Sequence, residues 1–128
     1  MEDSVRIFLV EDAELIQNVL EMALEDGGFS VTKACTAEQA IEILDDQGTR
    51  FRALISDINL GSSNMTGWDI AKHARQMNDT LPVVYMIGAS ANEWGSRGVP
   101  NSVLMIKPFA PAQMVTAVSQ LLNTEQGS

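Results

Sequence analysis

The chain has 128 residues, which suits one domain with a sizeable core. Apolar residues make up 45% of it, so a disordered chain is excluded; seventeen acidic residues against eight basic ones leave a net charge of -9, which argues against direct contact with a phosphate backbone. The single cysteine, Cys35, rules out an internal disulfide, MEDSV at the start lacks the basic run of a signal peptide, and no apolar run approaches the ~20 residues that span a bilayer. A cytoplasmic location is expected, with neither nucleic acid nor membrane as partner.

Val5–Val10 is a short, nearly continuous apolar run that suits a buried parallel strand. Residues 13–26 change to helical period, with Leu15, Ile16, Val19, Leu20 and Ala23 as the expected inward face, and Gly27-Gly28 ends the helix. Phe29 to Ala34 is the second strand. Thr36-Ala-Glu-Gln39 has the pattern of a capping box and opens a helix with Ala37, Ala40, Ile41 and Leu44 inward, stopped by Gly48. Phe51 to Ser56 is the third strand, followed by loop chemistry at Gly61-Ser62-Ser63-Asn64. Thr66 caps a helix through about Met77, with Ile70, Ala74 and Met77 as its apolar stripe.

Leu81 to Ile87 is the fourth strand, entered through Pro82. Ser90 to Arg97 has room for two helical turns, interrupted around it by Gly95, Gly98 and Pro100, so this fourth helix is expected to be short. Ser102 to Ile106 is the fifth strand. Pro111 then opens a fifth helix with Met114, Val115, Val118, Leu121 and Leu122 on one face, and residues 124–128 read as a polar tail. The alternation predicts an α/β fold, a doubly wound parallel sheet with helices on both faces, in one domain over 1–128 with its core at about 4–123.

Doubly wound sheets bind ligands at the carboxyl ends of their strands. There the first strand ends in Glu11-Asp12, the third in Asp57, the fourth near Gly88-Ala89-Ser90 and the fifth in Lys107-Pro108. Three close carboxylates repel each other, and a hard divalent cation relieves that. Asp57 could then attack phosphorus, with the cation and Lys107 offsetting charge on the transferring group. Each residue also has a plain structural role open to it. Asp12 could cap a helix, Asp57 could be a turn residue, and Lys107-Pro108 could simply end a strand. Their joint occurrence at three strand ends favours chemistry.

With VEDAE, SDINL and KPF in place, the chain resembles the receiver domain of bacterial two-component response regulators, over about residues 4–123. The resemblance implies a flavodoxin-like sheet of order 2-1-3-4-5. It implies Asp57 as phosphoacceptor, Asp12 as direct Mg²⁺ ligand, Glu11 as an acid acting through water, and the Asn59 backbone carbonyl as a further ligand. Lys107 would pair with the acceptor and the phosphoryl group, aimed by a Lys107–Pro108 bond that is typically cis in the family. The donor would be a phosphohistidine on a sensor histidine kinase or a histidine phosphotransfer protein. Such a domain is no enzyme beyond its own phosphorylation and slow autodephosphorylation.

Three departures stand out. Ile87 occupies the place of the family's Thr or Ser at the end of strand four, and it cannot donate a hydrogen bond. Ser90 could replace it if the loop folds back, and the N–H groups of Gly88 and Ala89 remain as donors. Leu104 stands where the family has a switch aromatic, three residues before the lysine. Gly61 replaces a proline, in a loop about two residues longer than usual, and the segment from Ile87 to Lys107 is shorter by about as much.

Other residues carry structural readings. His73 is expected at the surface, Cys35 and the seven methionines in packing, and the Glu25-Asp26 and Asp45-Asp46 pairs at solvated helix ends. Trp94 either anchors a partner or packs on the short helix. The expected function is a stand-alone phosphoacceptor with output by protein–protein interaction or phosphorelay, since only a short tail follows the fifth helix. The alternatives are a phosphorylation-independent interaction module, suggested by Ile87 and Leu104, and an aspartate-nucleophile phosphatase of the haloacid dehalogenase type. The latter family carries its Asp-x-Asp on the first strand, whereas here the acceptor is on the third and the residue two further on is Asn59.

Overall fold

The computed structural model describes residues 5–60, 64–88, 102–107 and 109–127. Five parallel strands, β1 (Val5–Val10), β2 (Phe29–Ala34), β3 (Ala53–Asp57), β4 (Val83–Ile87) and β5 (Ser102–Ile106), form one sheet in the order β2-β1-β3-β4-β5. The helices are α1 (Glu14–Asp26), α2 (Ala37–Gln47), α3 (Gly67–Met77) and the C-terminal α4 (Pro111–Gly127). This is the doubly wound order expected. The fourth helix expected at 90–97 lies outside the described residues, as do Gly61 and Trp94. α4 runs on to Gly127, where a polar tail had been expected from 124.

The three inner strands carry the core because both of their faces are covered. Ile7 to Val10, Ala53 to Ile55 and Val83 to Met86 are all fully buried. Alternation along each strand divides them between two clusters. Phe8, Val10, Leu54, Val83 and Tyr85 face α2 and α3. Ile7, Leu9, Ile55, Val84 and Met86 face α1 and α4. A turn of 3₁₀ helix at Gly48–Arg50 delays β3 to Ala53, so Phe51 precedes the strand and stacks on Phe8 with ring centroids 4.7 Å apart. β3 also extends one residue beyond the expected end, and Asp57 is its last member.

Local chemistry fixes the helix ends. Thr36 accepts a hydrogen bond from the Gln39 N–H at 3.0 Å, and the Gln39 side chain accepts from the Cys35 N–H, one residue before the cap. Asp69 accepts from the Thr66 N–H at 2.9 Å at the start of α3. The Gly27 N–H closes α1 on Ala23 and Leu24, and Gly28 turns the chain away at φ +99°. No described helix is long and apolar enough to cross a membrane.

The α1 face needs correction. The helix buries Gln17, Leu20 and Leu24, and leaves Leu15, Ile16, Val19 and Met22 exposed. Too many apolar residues surround this helix for periodicity to choose a face, and the stripe that docks includes a polar residue. Elsewhere the inward faces agree: Ala37, Ala40 and Leu44 on α2, Ile70 and Ala74 on α3, and Met114, Val118 and Leu122 on α4.

α3 begins hard against the end of β3. The Gly67 N–H donates to the Ile58 carbonyl at 2.9 Å, and a Cβ at position 67 would overlap the Asp57 carbonyl and lie 2.9 Å from the Ile58 Cα. Gly67→Ala should therefore lower stability by about 1–3 kcal/mol in urea denaturation. Gly88→Ala, with no described atom within 4 Å of the new methyl, should stay within about 0.5 kcal/mol of wild type.

Candidate functional site

Each charged residue of the site is set by the strand that ends in it. Val10 pairs with Ser56 across β1 and β3, so Glu11 and Asp57 leave the sheet side by side. Glu11, Asp12 and Asp57 then offer carboxylate oxygens that all lie within 4.8 Å of one another. Glu11 is fully buried, Asp57 is 5% exposed, and Asp12 lies on the surface. Ser56 donates its hydroxyl to the Asp57 carbonyl at 2.9 Å, and the Ile58 N–H continues the ladder to Met86.

Lys107 arrives from the far side. Its own N–H donates to the Ile87 carbonyl at 2.8 Å, which fixes the end of β5 against β4. Its ammonium stands 2.9 Å from Asp57 Oδ2 and 3.3 Å from Glu11 Oε1. The second Glu11 oxygen accepts from the Ala13 N–H at 3.0 Å. Burial pushes the Glu11 carboxyl up to about 7; the Ala13 N–H pulls it down, Asp57 raises it further, and Lys107 lowers it. For Lys107, burial lowers the ammonium, but the bond to Asp57 and the charges of Asp57 and Glu11 outweigh it and hold it above its usual 10.5.

The remaining expected site residues are less involved. Asn59 follows just beyond β3 with its side chain exposed, and Gly88 is exposed at the end of β4. Ala89, Ser90 and Pro108 lie outside the described residues. Ile87 and Leu104 pack, half-buried, against the cluster that contains Trp68 and Tyr85, and Leu104 is the direct β-partner of Tyr85. Trp68 tilts over Tyr85 with ring centroids 4.6 Å apart. His73 pairs with Asp45 at 2.7 Å between α3 and α2, a surface contact far from the acidic cluster in sequence.

The reading from sequence passed over Gln17. This residue of α1 is 3% exposed and donates to two strand-end carbonyls, Glu11 at 3.2 Å and Ala34 at 3.0 Å. Its only signal was a polar residue three positions before Leu20 and seven before Leu24, the stripe that turned out to be buried.

Two buried carboxylates and one exposed, a lysine aimed at one of them, and a doubly wound sheet whose strands β1, β3 and β5 deliver them at one edge define an acidic oxygen-donor site suited to a hard cation. The family model for the response regulator receiver domain matches residues 7–119. A solved response regulator receiver protein from Sinorhizobium medicae WSM419 superposes with a TM-score of 0.90 at 38% identity, over 96% of this chain and 98% of that one. The alginate biosynthesis transcriptional regulatory protein AlgB of Pseudomonas aeruginosa is 30% identical over 127 residues, which cover 98% of this chain and 27% of AlgB. The sensor kinase CckA of Brucella abortus is 23% identical over 128 residues, 98% of this chain and 13% of CckA. The chain belongs to the response regulator receiver domain family, whose members are not enzymes in the classical sense. It spans about a quarter or less of these two curated relatives.

The raised Glu11 carboxyl makes a pH prediction. Between pH 4.5 and about 7 the folded protein holds a proton that the unfolded chain has released, so stability falls as pH rises through that window. The Lys107 contribution is constant there, since it is lost only above 10.5. The metal-free protein should melt lower at pH 8 than at pH 5, with Glu11 contributing on the order of 3 kcal/mol at most. Glu11→Gln should flatten that difference in calorimetric melts.

Proposed function

We propose that this chain accepts a phosphoryl group on Asp57 in two-component signal transduction. The observation that carries the reading is the Lys107 ammonium 2.9 Å from Asp57 Oδ2, beside oxygen donors from Glu11 and Asp12. An Asp57 oxygen attacks the phosphorus of a phosphohistidine, the P–N bond breaks, and the donor imidazole leaves and regains a proton from solvent. Lys107 follows the negative charge from the carboxylate to the phosphoryl oxygens. Glu11, Asp12, Asp57 and the Asn59 carbonyl would hold Mg²⁺, which when bound neutralises the phosphoryl oxygens. Protons compete for Glu11, so Mg²⁺ should bind more weakly at pH 6 than at pH 8.

The donor protein, a histidine kinase or histidine phosphotransfer protein, docks on the exposed strip of α1. Leu15, Ile16, Val19, Phe109 and Pro111 line an apolar groove of about 380 Å³, with Lys107 among its walls. An apolar strip on this acidic surface that opens on the acceptor's lysine supports that placement. Output passes through protein–protein contact or onward transfer, and the domain works in the cytoplasm.

A phosphorylation-independent module is the second reading, favoured by the apolar side chains at Ile87 and Leu104. Acetyl phosphate or beryllofluoride with Mg²⁺ separates the two. A single adduct by intact mass, lost in Asp57→Ala, is expected. Absence of any adduct on wild type favours the second reading, and survival of the adduct in Asp57→Ala overturns Asp57 as the acceptor. Val19→Asp should leave the acetyl phosphate reaction within about twofold of wild type, and slow transfer at least tenfold from any phosphohistidine protein that serves the wild type.

A further inference from the structure

Gln17 reaches from α1 into the seam where β1 and β2 end, and no catalytic step uses it. Its amide N–H₂ donates to the carbonyls of Glu11 and Ala34, at 3.2 and 3.0 Å, and its amide oxygen accepts a weak bond from the Cys35 thiol at 3.7 Å. Ala34 also accepts from the Glu11 N–H at 3.1 Å. The peptide groups on both sides of the Glu11 Cα are therefore fixed from α1 and β2, while its carboxylate is held by the Ala13 N–H and Lys107.

We propose that Gln17 is a positioning residue for the divalent cation, acting through the backbone of Glu11. This rests on the reading of the acidic cluster as a cation site. A polar side chain on the stripe that docks a helix is unfavourable unless it is paired. Leu20 and Leu24 show what that stripe otherwise holds. Here the pairing falls on Glu11, whose side chain enters the acidic cluster and whose carbonyl lies just past the end of β1. Residues that orient a ligand from behind typically alter metal affinity by 10–100-fold when removed.

The test compares Gln17→Met, which keeps the length and loses both donors, with Leu24→Ala, which injures the same helix interface without touching Glu11. Mg²⁺ alone is titrated into each full chain by calorimetry, with the Glu11 and Asp57 amide shifts followed by NMR and the melting temperature recorded. Gln17→Met should weaken Mg²⁺ about tenfold or more and shift the Glu11 amide, while Leu24→Ala keeps wild-type affinity despite a lower melting temperature. If Gln17→Met does not fold, Gln17→Asn, too short to reach both carbonyls, takes its place with the same expectation. Wild-type affinity in the Gln17 variant, or equal losses in both variants, overturns this inference alone. Absence of Mg²⁺ binding in the wild type overturns it together with the reading beneath it.

Discussion

Two acids buried side by side are the constraint around which this protein is built. Glu11 and Asp57 are both nearly or wholly removed from water, and strand register keeps them adjacent. Like charges at about 4 Å repel by roughly 1–4 kcal/mol, depending on how much water screens them. Lys107 lies within reach of both, and burial still drives Glu11 towards protonation. A site with this surplus of negative charge gains from any hard cation that enters it, which makes the acidic edge receptive by construction. The order β2-β1-β3-β4-β5 produces the arrangement, because it sets β1 directly beside β3 and brings β5 in across β4.

Most of this was legible in the sequence, for reasons that vary with the element. Buried parallel strands are apolar runs closed by polar residues, so the five strands and the charged residues at their ends could be read directly. Glycine and threonine marked the helix ends because few other residues serve there. The inward face of α1 was not legible: Leu15, Ile16, Val19 and Met22 give it as strong an apolar signal outward as Leu20 and Leu24 give inward. Gln17 was hidden by the same ambiguity, since a buried glutamine is recognisable only from the two carbonyls it serves. The sheet order itself came with the family resemblance, because alternation of strands and helices leaves several orders open.

The end of β4 gives the chain its individual character. A hydroxyl at position 87 could turn towards a charged group at the edge, but Ile87 has no polar atom to present and packs with Leu104 against the cluster of Trp68 and Tyr85. That cluster also meets the acidic edge from behind. Gly67 touches the Asp57 backbone, and Trp68, the next residue, lies over Tyr85. The backbone of β3 and the aromatic core are thus in van der Waals continuity through the first turn of α3. Displacement of Asp57 would be felt there through the Gly67–Ile58 hydrogen bond and the packing of Trp68 on Tyr85.

Lys107 lies 96 residues after Glu11 and 50 after Asp57 along the chain. During synthesis the first four strands therefore leave the ribosome before their neutralising partner does. An early intermediate that docked β1 on β3 would confine two carboxylates without a cation. Protonation of Glu11 or the arrival of Lys107 at the end of β5 relieves that repulsion. The same long sequence separation that makes the contact slow to form means that the finished site ties β1 and β3 to β5 across β4.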